Sequence, residues 1–126
     1  MIAPLLQVAL GGALGASCRY LAGVGIVRAF GHMPFPLGVI GVNVVGSFLM
    51  GVFVGLAAQR GLTHVAPLVA TGFLGGFTTF SSFSLEAVTL WERGAHGLAA
   101  AYVGGSVVLS IAGLVAGLLL TRGLAA

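Results

Sequence analysis

Gly72-Phe-Leu-Gly-Gly-Phe-Thr-Thr-Phe-Ser-Ser-Phe-Ser-Leu-Glu86 lies inside the third of four long apolar runs, and it holds what a lipid-embedded helix ordinarily avoids. Three glycines (Gly72, Gly75 and Gly76) loosen the backbone. Thr78, Thr79, Ser81, Ser82 and Ser84 follow, with Phe80 and Phe83 set among them. At bilayer depth each backbone N–H and C=O needs a partner, so non-helical chain survives there only when buried in protein or lining a wet cavity. A helix interrupted near the midplane is also a usual way to present bare backbone groups to ions. The stretch therefore predicts a break at its glycines, turning carbonyls outward, and the break predicts an ion pathway.

Composition sets the same frame. Of 126 residues, 59% are hydrophobic and only 6% charged, where a soluble domain carries about 25% charged residues. Mean hydropathy is +1.17. A water-soluble domain is excluded, and the length fits one membrane domain over residues 1–126. Five arginines and no lysine stand against two glutamates, for a net charge of +3. Spread over loops and termini, that charge forms no nucleic-acid patch. Cys18 stands alone in an apolar setting and reads as a small hydrophobe. The start lacks the basic region of a signal peptide, so the first run is expected to stay in the working protein.

A spanning helix needs about 20 mostly apolar residues. Run one covers roughly Pro4 to Val27 and holds one charge, Arg19. A proline-punctuated turn from Phe30 to Pro36 leads into run two, Leu37 to Ala58, which is uncharged. Run three extends from about Val65 to Trp91, long enough to absorb a break. After Glu92-Arg93-Gly94-Ala95-His96, run four occupies Gly97 to Thr121. The expected fold is all-α: four transmembrane helices with a break in the third.

Four spans put both termini on one side. Arg60 and Arg122 then fall on that side, and Arg28 and Arg93 on the other. Orientation follows the Lys/Arg bias of short loops, and here the two sides balance. The balance predicts dual topology, with two copies meeting antiparallel. Gly11/Gly15, Gly51/Gly55 and Gly113/Gly117 are GxxxG pairs that permit close helix approach in lipid. Some would pack within the chain, and at least one face is expected between copies of a homodimer.

Polar residues inside the runs mark either helix–helix glue or a pathway. Asn43 sits midway along run two, with Ser47 one turn on. Tyr102, Ser106 and Ser110 recur at i, i+4 and i+8 on one face of run four, although serines can satisfy themselves on the i−4 carbonyl. Phe80 and Phe83 share one face past the break, and Thr79, Ser82 and Glu86 another. Arg19 has three outlets: snorkelling, pairing with Glu86 if depths match, or binding carbonyls at a helix break. His32, His64 and His96 lie in connections without metal-ligand spacing. No nucleophile–base set or phosphate loop assembles, so an enzyme is not expected.

Taken together, Gly11-Gly-Ala-Leu-Gly-Ala-Ser-Cys-Arg-Tyr20, then Val42-Asn43-Val-Val-Gly46-Ser-Phe, then Gly72 to Glu86 resemble the CrcB/Fluc fluoride channels over all four spans. The resemblance implies an antiparallel, dual-topology homodimer in the cell (inner) membrane, passively exporting fluoride through two pores. By matching positions, Asn43 would be the pore amide and Phe80 and Phe83 the rings lining the anion route. Ser81, Ser82 and Ser84 would add a polar track, with Tyr102, Ser106 and Ser110 on the fourth helix. A structural sodium at the dimer centre would be held by the carbonyls of Gly75 and Thr78 from each copy. Arg19 and Glu86 match the family's arginine and acidic positions. Two departures stand out. Ser82 replaces a frequent threonine, and Val39 replaces the threonine of a usual Gly-Thr pair, which removes one vestibule hydroxyl.

Two rival readings predict different things. A small multidrug-type proton-coupled transporter also has four short helices, but it works through a carboxylate in its first helix, and run one has none. A non-conducting structural subunit would leave the hydroxyl run and the break without a use.

Overall fold

The computed structural model describes residues 2–125. Four helical spans cross back and forth: α1 (Ile2–Phe30), α2 (Leu37–Arg60), a composite third span, and α5 (His96–Ala125). The third span runs Pro67–Glu92. It comprises a π-helical segment (Pro67–Leu74), one turn α3 (Gly75–Phe77), and α4 (Phe80–Glu92). No strand occurs among the described residues. The four apolar runs are thus the four spans: runs one, two and four are extended by a few residues, run three begins two residues later at Pro67, and His96 opens α5 instead of sitting in the loop before it.

Helix ends fall where the turn chemistry requires. Gly61 closes α2 with φ +66°, its N–H bonded to the Ala57 carbonyl, a left-handed cap that glycine adopts without strain. Pro67 sits in the first turn of the π-helical segment, where its missing N–H would have had no partner anyway.

The spans pack as two close pairs, α1 with the π-helical segment and α3, and α2 with α5. Glycine makes both pairs possible. A methyl group at Gly11 would overlap the Leu68 carbonyl oxygen, and one at Gly15 the Phe73 carbonyl. At Gly76 it would lie 2.8 Å from the Gly12 carbonyl oxygen. In the second pair, Gly51 abuts the Leu114 carbonyl, Gly55 abuts Thr121, and Gly117 abuts the Phe48 carbonyl. All three GxxxG pairs are therefore consumed inside one chain. That is the within-chain packing expected of some of these pairs.

A small core ties α4 to α5. Phe83, Leu90, Ala99 and Tyr102 are buried together, with Phe35, Val39 and Ile40 packed against them. Elsewhere the spans face outward with apolar side chains, such as Leu5, Leu10, Val108 and Leu119. In lipid that exposure costs nothing, and the backbone groups behind it are satisfied within the helices.

Candidate functional site

The third span does break, but not at its glycines. Gly75 has φ −63° and ψ −37°, ordinary helix, whereas Thr78 (φ −86°, ψ 158°) and Thr79 (φ −149°, ψ 121°) are extended. The expectation that glycine flexibility turns the chain is corrected. Gly72 and Gly76 are helical and serve the approach to α1. The break is two threonines long.

What holds it open is an amide from another helix. Asn43 of α2 accepts the Thr79 N–H at its Oδ1 (2.7 Å) and donates from Nδ2 to the Thr79 carbonyl (3.0 Å). One side chain thereby satisfies both backbone groups of an extended residue at bilayer depth, the condition such a residue must meet. Thr79 in turn caps α4, its Oγ1 accepting the Ser82 N–H at 3.1 Å, the usual duty of a hydroxyl at an N-cap. Thr78 Oγ1 turns back to the Leu74 carbonyl at 2.9 Å.

These substitutions of partner have a consequence for the carbonyls. In an α-helix the Gly75 carbonyl would receive the Thr79 N–H and the Thr78 carbonyl the Ser82 N–H. Both donors are diverted, one to Asn43 and the other to Thr79 Oγ1. Gly75 and Thr78 keep carbonyl oxygens without their i+4 donors, and Gly75 lies exposed on the surface of the chain. The Gly76 carbonyl, between them, receives the Nε–H of Arg19 at 3.1 Å. Of the three outlets for Arg19, it takes the carbonyl at the break.

Beside the break lies a cavity of about 350 Å³, lined by three walls. Asn43, Gly46, Ser47 and Met50 come from α2; Thr78, Thr79, Phe80 and Phe83 from the break and α4; Ser106, Val107, Ser110 and Leu114 from α5. No lining residue carries a charge. Phe80 and Phe83 approach with ring centroids 5.5 Å apart, and Phe83 leans on Tyr102 at 5.3 Å. Phe83 is buried, while Phe80 is 78% exposed.

Several hydroxyls are spent on their own helix. Ser17, Thr78, Ser84, Thr89 and Thr121 each donate to the carbonyl four residues back, the common resting state of a hydroxyl in a membrane helix. Among the described residues, Ser47, Ser106 and Ser110 make no such bond, and all three line the cavity. Ser106 Oγ is fully enclosed without a partner, as is the Tyr102 hydroxyl behind Phe83. The question the sequence left open, whether the serines of run four satisfy themselves, is answered by their free hydroxyls.

Of the residues singled out from sequence, the structure brings Asn43, Phe80, Phe83, Ser106 and Ser110 to one cavity, with Thr78 beside them. It places the others elsewhere. Ser82 faces a larger space of about 570 Å³, with Arg19, Arg28, Val39 and Thr79. Glu86 lines a third, of about 340 Å³, with His32, Val39 and Arg93. Ser81 lies near Thr79 Oγ1 at 3.4 Å, and Ser84 is occupied with the Phe80 carbonyl. Thr79 lines both the cavity beside Asn43 and the one beside Ser82. Ser47, Met50 and Thr79 were missed as lining; the signal for the first two was the i, i+4, i+7 spacing from Asn43.

Comparison with known proteins finds relatives over nearly the whole chain. The family model described as "CrcB-like protein, Camphor Resistance (CrcB)" matches residues 6–118. A protein of Ruegeria sp. (strain TM1040) named "Fluoride-specific ion channel FluC" is 65% identical over 123 residues, covering 98% of this chain and 98% of its own. One of the same name from Cereibacter sphaeroides (strain ATCC 17029 / ATH 2.4.9) is 66% identical over the same extents. Another, from Agrobacterium fabrum, is 54% identical over 119 residues, covering 93% of this chain and 94% of its own.

Proposed function

The chain belongs to the CrcB-like family, and from that membership and the chemistry of the cavity we propose that it is a fluoride-selective ion channel. It is a multi-pass membrane protein and a passive conductor, not an enzyme, and it lets fluoride leave the cytoplasm across the inner membrane.

The observation that carries this reading is the uncharged cavity at the break, with its free hydroxyls and paired rings. Fluoride holds water tightly, so a selective route must offer donors in its place. Ser106 and Ser110 have theirs unspent, and Asn43 keeps one Nδ2 hydrogen beyond the one given to Thr79. The edges of aromatic rings are electropositive, and those of Phe80 and Phe83 stabilise a small anion without trapping it. Because conduction needs sites weak enough to leave, a wall free of lysine and arginine suits passage better than a charged one. The N-terminus of α4 points its positive dipole end at the same place.

A single chain leaves this route open on one side, with Phe80 bare to the surroundings. We assign the missing wall to a second copy, inverted, which the balanced arginines of the two sides allow. The unbonded carbonyls of Gly75 and Thr78 suit a sodium ion, since hard cations take oxygen ligands and unwound carbonyls in membrane proteins supply them. When bound between two copies, sodium would add fixed positive charge at the centre. Arg19 stiffens the same turn through the Gly76 carbonyl.

Purified protein in liposomes loaded with fluoride or chloride tests the reading. Rapid fluoride efflux with chloride retained is the expected result; no fluoride efflux, or equal chloride efflux, would remove it. Reporter fusions at the C-terminus should report from both sides of the membrane if the copies are inverted.

A further inference from the structure

We propose that Ser47 is a donor to the permeating anion, forming with Ser110 a second holding point one helical turn past Asn43. The inference rests on the fluoride-channel reading. Three observations carry it. Asn43, Gly46, Ser47 and Met50 all line the cavity, at the i, i+3, i+4, i+7 spacing of one helix face. That face follows the cavity along α2 for about 10 Å at a rise of about 1.5 Å per residue, so the lined route continues beyond the amide at Asn43. On the α5 wall, Ser106 and Ser110 line the same cavity, four residues apart on one face.

The state of the hydroxyl is the second observation. A serine in a membrane helix normally closes on the carbonyl four residues back, as Ser17 does on Ala13 at 2.7 Å and Ser84 on Phe80 at 3.0 Å. Ser47 does not, and neither do Ser106 and Ser110. Its O–H is unspent and borders the same space as theirs. The third is the chemistry around it. Met50 and Leu114 make the adjoining wall apolar, so an anion passing there meets few donors other than Ser47 and Ser110. A route that conducts needs several weak sites in series more than one strong one, and two hydroxyls from different helices bordering one cavity, without a cation, make a weak site.

Fluoride efflux from liposomes, measured over a range of internal fluoride concentrations, tests this with Ser47→Ala, Ser47→Thr and Ser17→Ala. Ser47→Ala should slow fluoride efflux about tenfold, the loss of one hydrogen bond to a charged ligand, and raise the fluoride concentration giving half-maximal rate. Ser47→Thr, which keeps the hydroxyl, should recover most of the rate, and Ser17→Ala should match the unmodified chain. If Ser47→Ala conducts within about twofold of the unmodified chain, the assignment is overturned. It is equally overturned if Ser47→Thr is as slow as Ser47→Ala, since side-chain volume and not the donor would then control the rate. Failure of the unmodified chain to move fluoride removes the channel reading itself, and the role of Ser47 with it.

Discussion

The two halves of the third span meet the same problem in opposite ways. From Gly72 to Phe77 the chain stays helical and gives up side chains, so that Gly72 and Gly76 sit against the backbone of α1. From Thr78 onward it gives up the helix for two residues and recruits side chains, Asn43 for Thr79 and Thr79 for Ser82. In lipid a missing side chain buys proximity, while a missing helical bond demands a polar substitute. The glycine half is a packing device and the hydroxyl half a functional one. Sequence alone makes the first look like the point of weakness.

If that division is right, substitutions in the two halves should separate stability from conduction. The largest effect is expected at the junction. Asn43→Ala leaves the Thr79 N–H and carbonyl unpaired, at about 1–3 kcal/mol for each buried group, and fluoride efflux should fall by about a hundredfold or more. Efflux near the unmodified rate would mean that the break stands without the amide. Next comes Gly15→Val, whose side chain would overlap the Phe73 carbonyl. Overpacking of this kind costs about 1–3 kcal/mol or more, visible as a lower melting temperature in detergent. The protein that does fold should keep its preference for fluoride over chloride, and lost selectivity would erase the distinction between the halves.

Arg19→Gln sharpens the comparison because Arg19 reaches from the packing pair to the edge of the break. Loss of its charged bond to the Gly76 carbonyl should cost about 1.5–3 kcal/mol of stability, read by thermal unfolding. Phe80→Ile removes an exposed ring that packs against Phe83. Fluoride efflux should drop about tenfold, with stability changed by about 0.5–1.5 kcal/mol, the worth of an aromatic pair. Smallest is Ser84→Ala. Its hydroxyl already serves the Phe80 carbonyl, so stability should move by no more than about 0.5 kcal/mol and efflux should be unchanged. A strong loss there would mean that back-bonding does not retire a hydroxyl from the route.

Much of this architecture could be read from residues alone. Four apolar runs mark four spans because length and charge depletion suffice to define a crossing helix, and glycines followed by hydroxyls mark a broken third span, though not the point at which it breaks. The place of the break could not be read locally, since it is fixed by Asn43, which lies 36 residues before Thr79 in the chain. The partners of the three glycine pairs were hidden for the same reason: a GxxxG pair states that a backbone comes close without saying whose. Spacing leaves Arg19 three outlets, and only its position beside the Gly76 carbonyl selects one. The serines of run four needed their hydroxyl directions, which no spacing supplies.

The central claim is that the third span leaves the helix at Thr78 and Thr79 because Asn43 receives the Thr79 backbone. Carbon chemical shifts of these two threonines, recorded by solid-state NMR on the protein in lipid bilayers, test it most directly. Extended-chain shifts at Thr78 and Thr79, between helical shifts at Phe77 and Phe80, are the result predicted here. Helical shifts running unbroken through both threonines would contradict it.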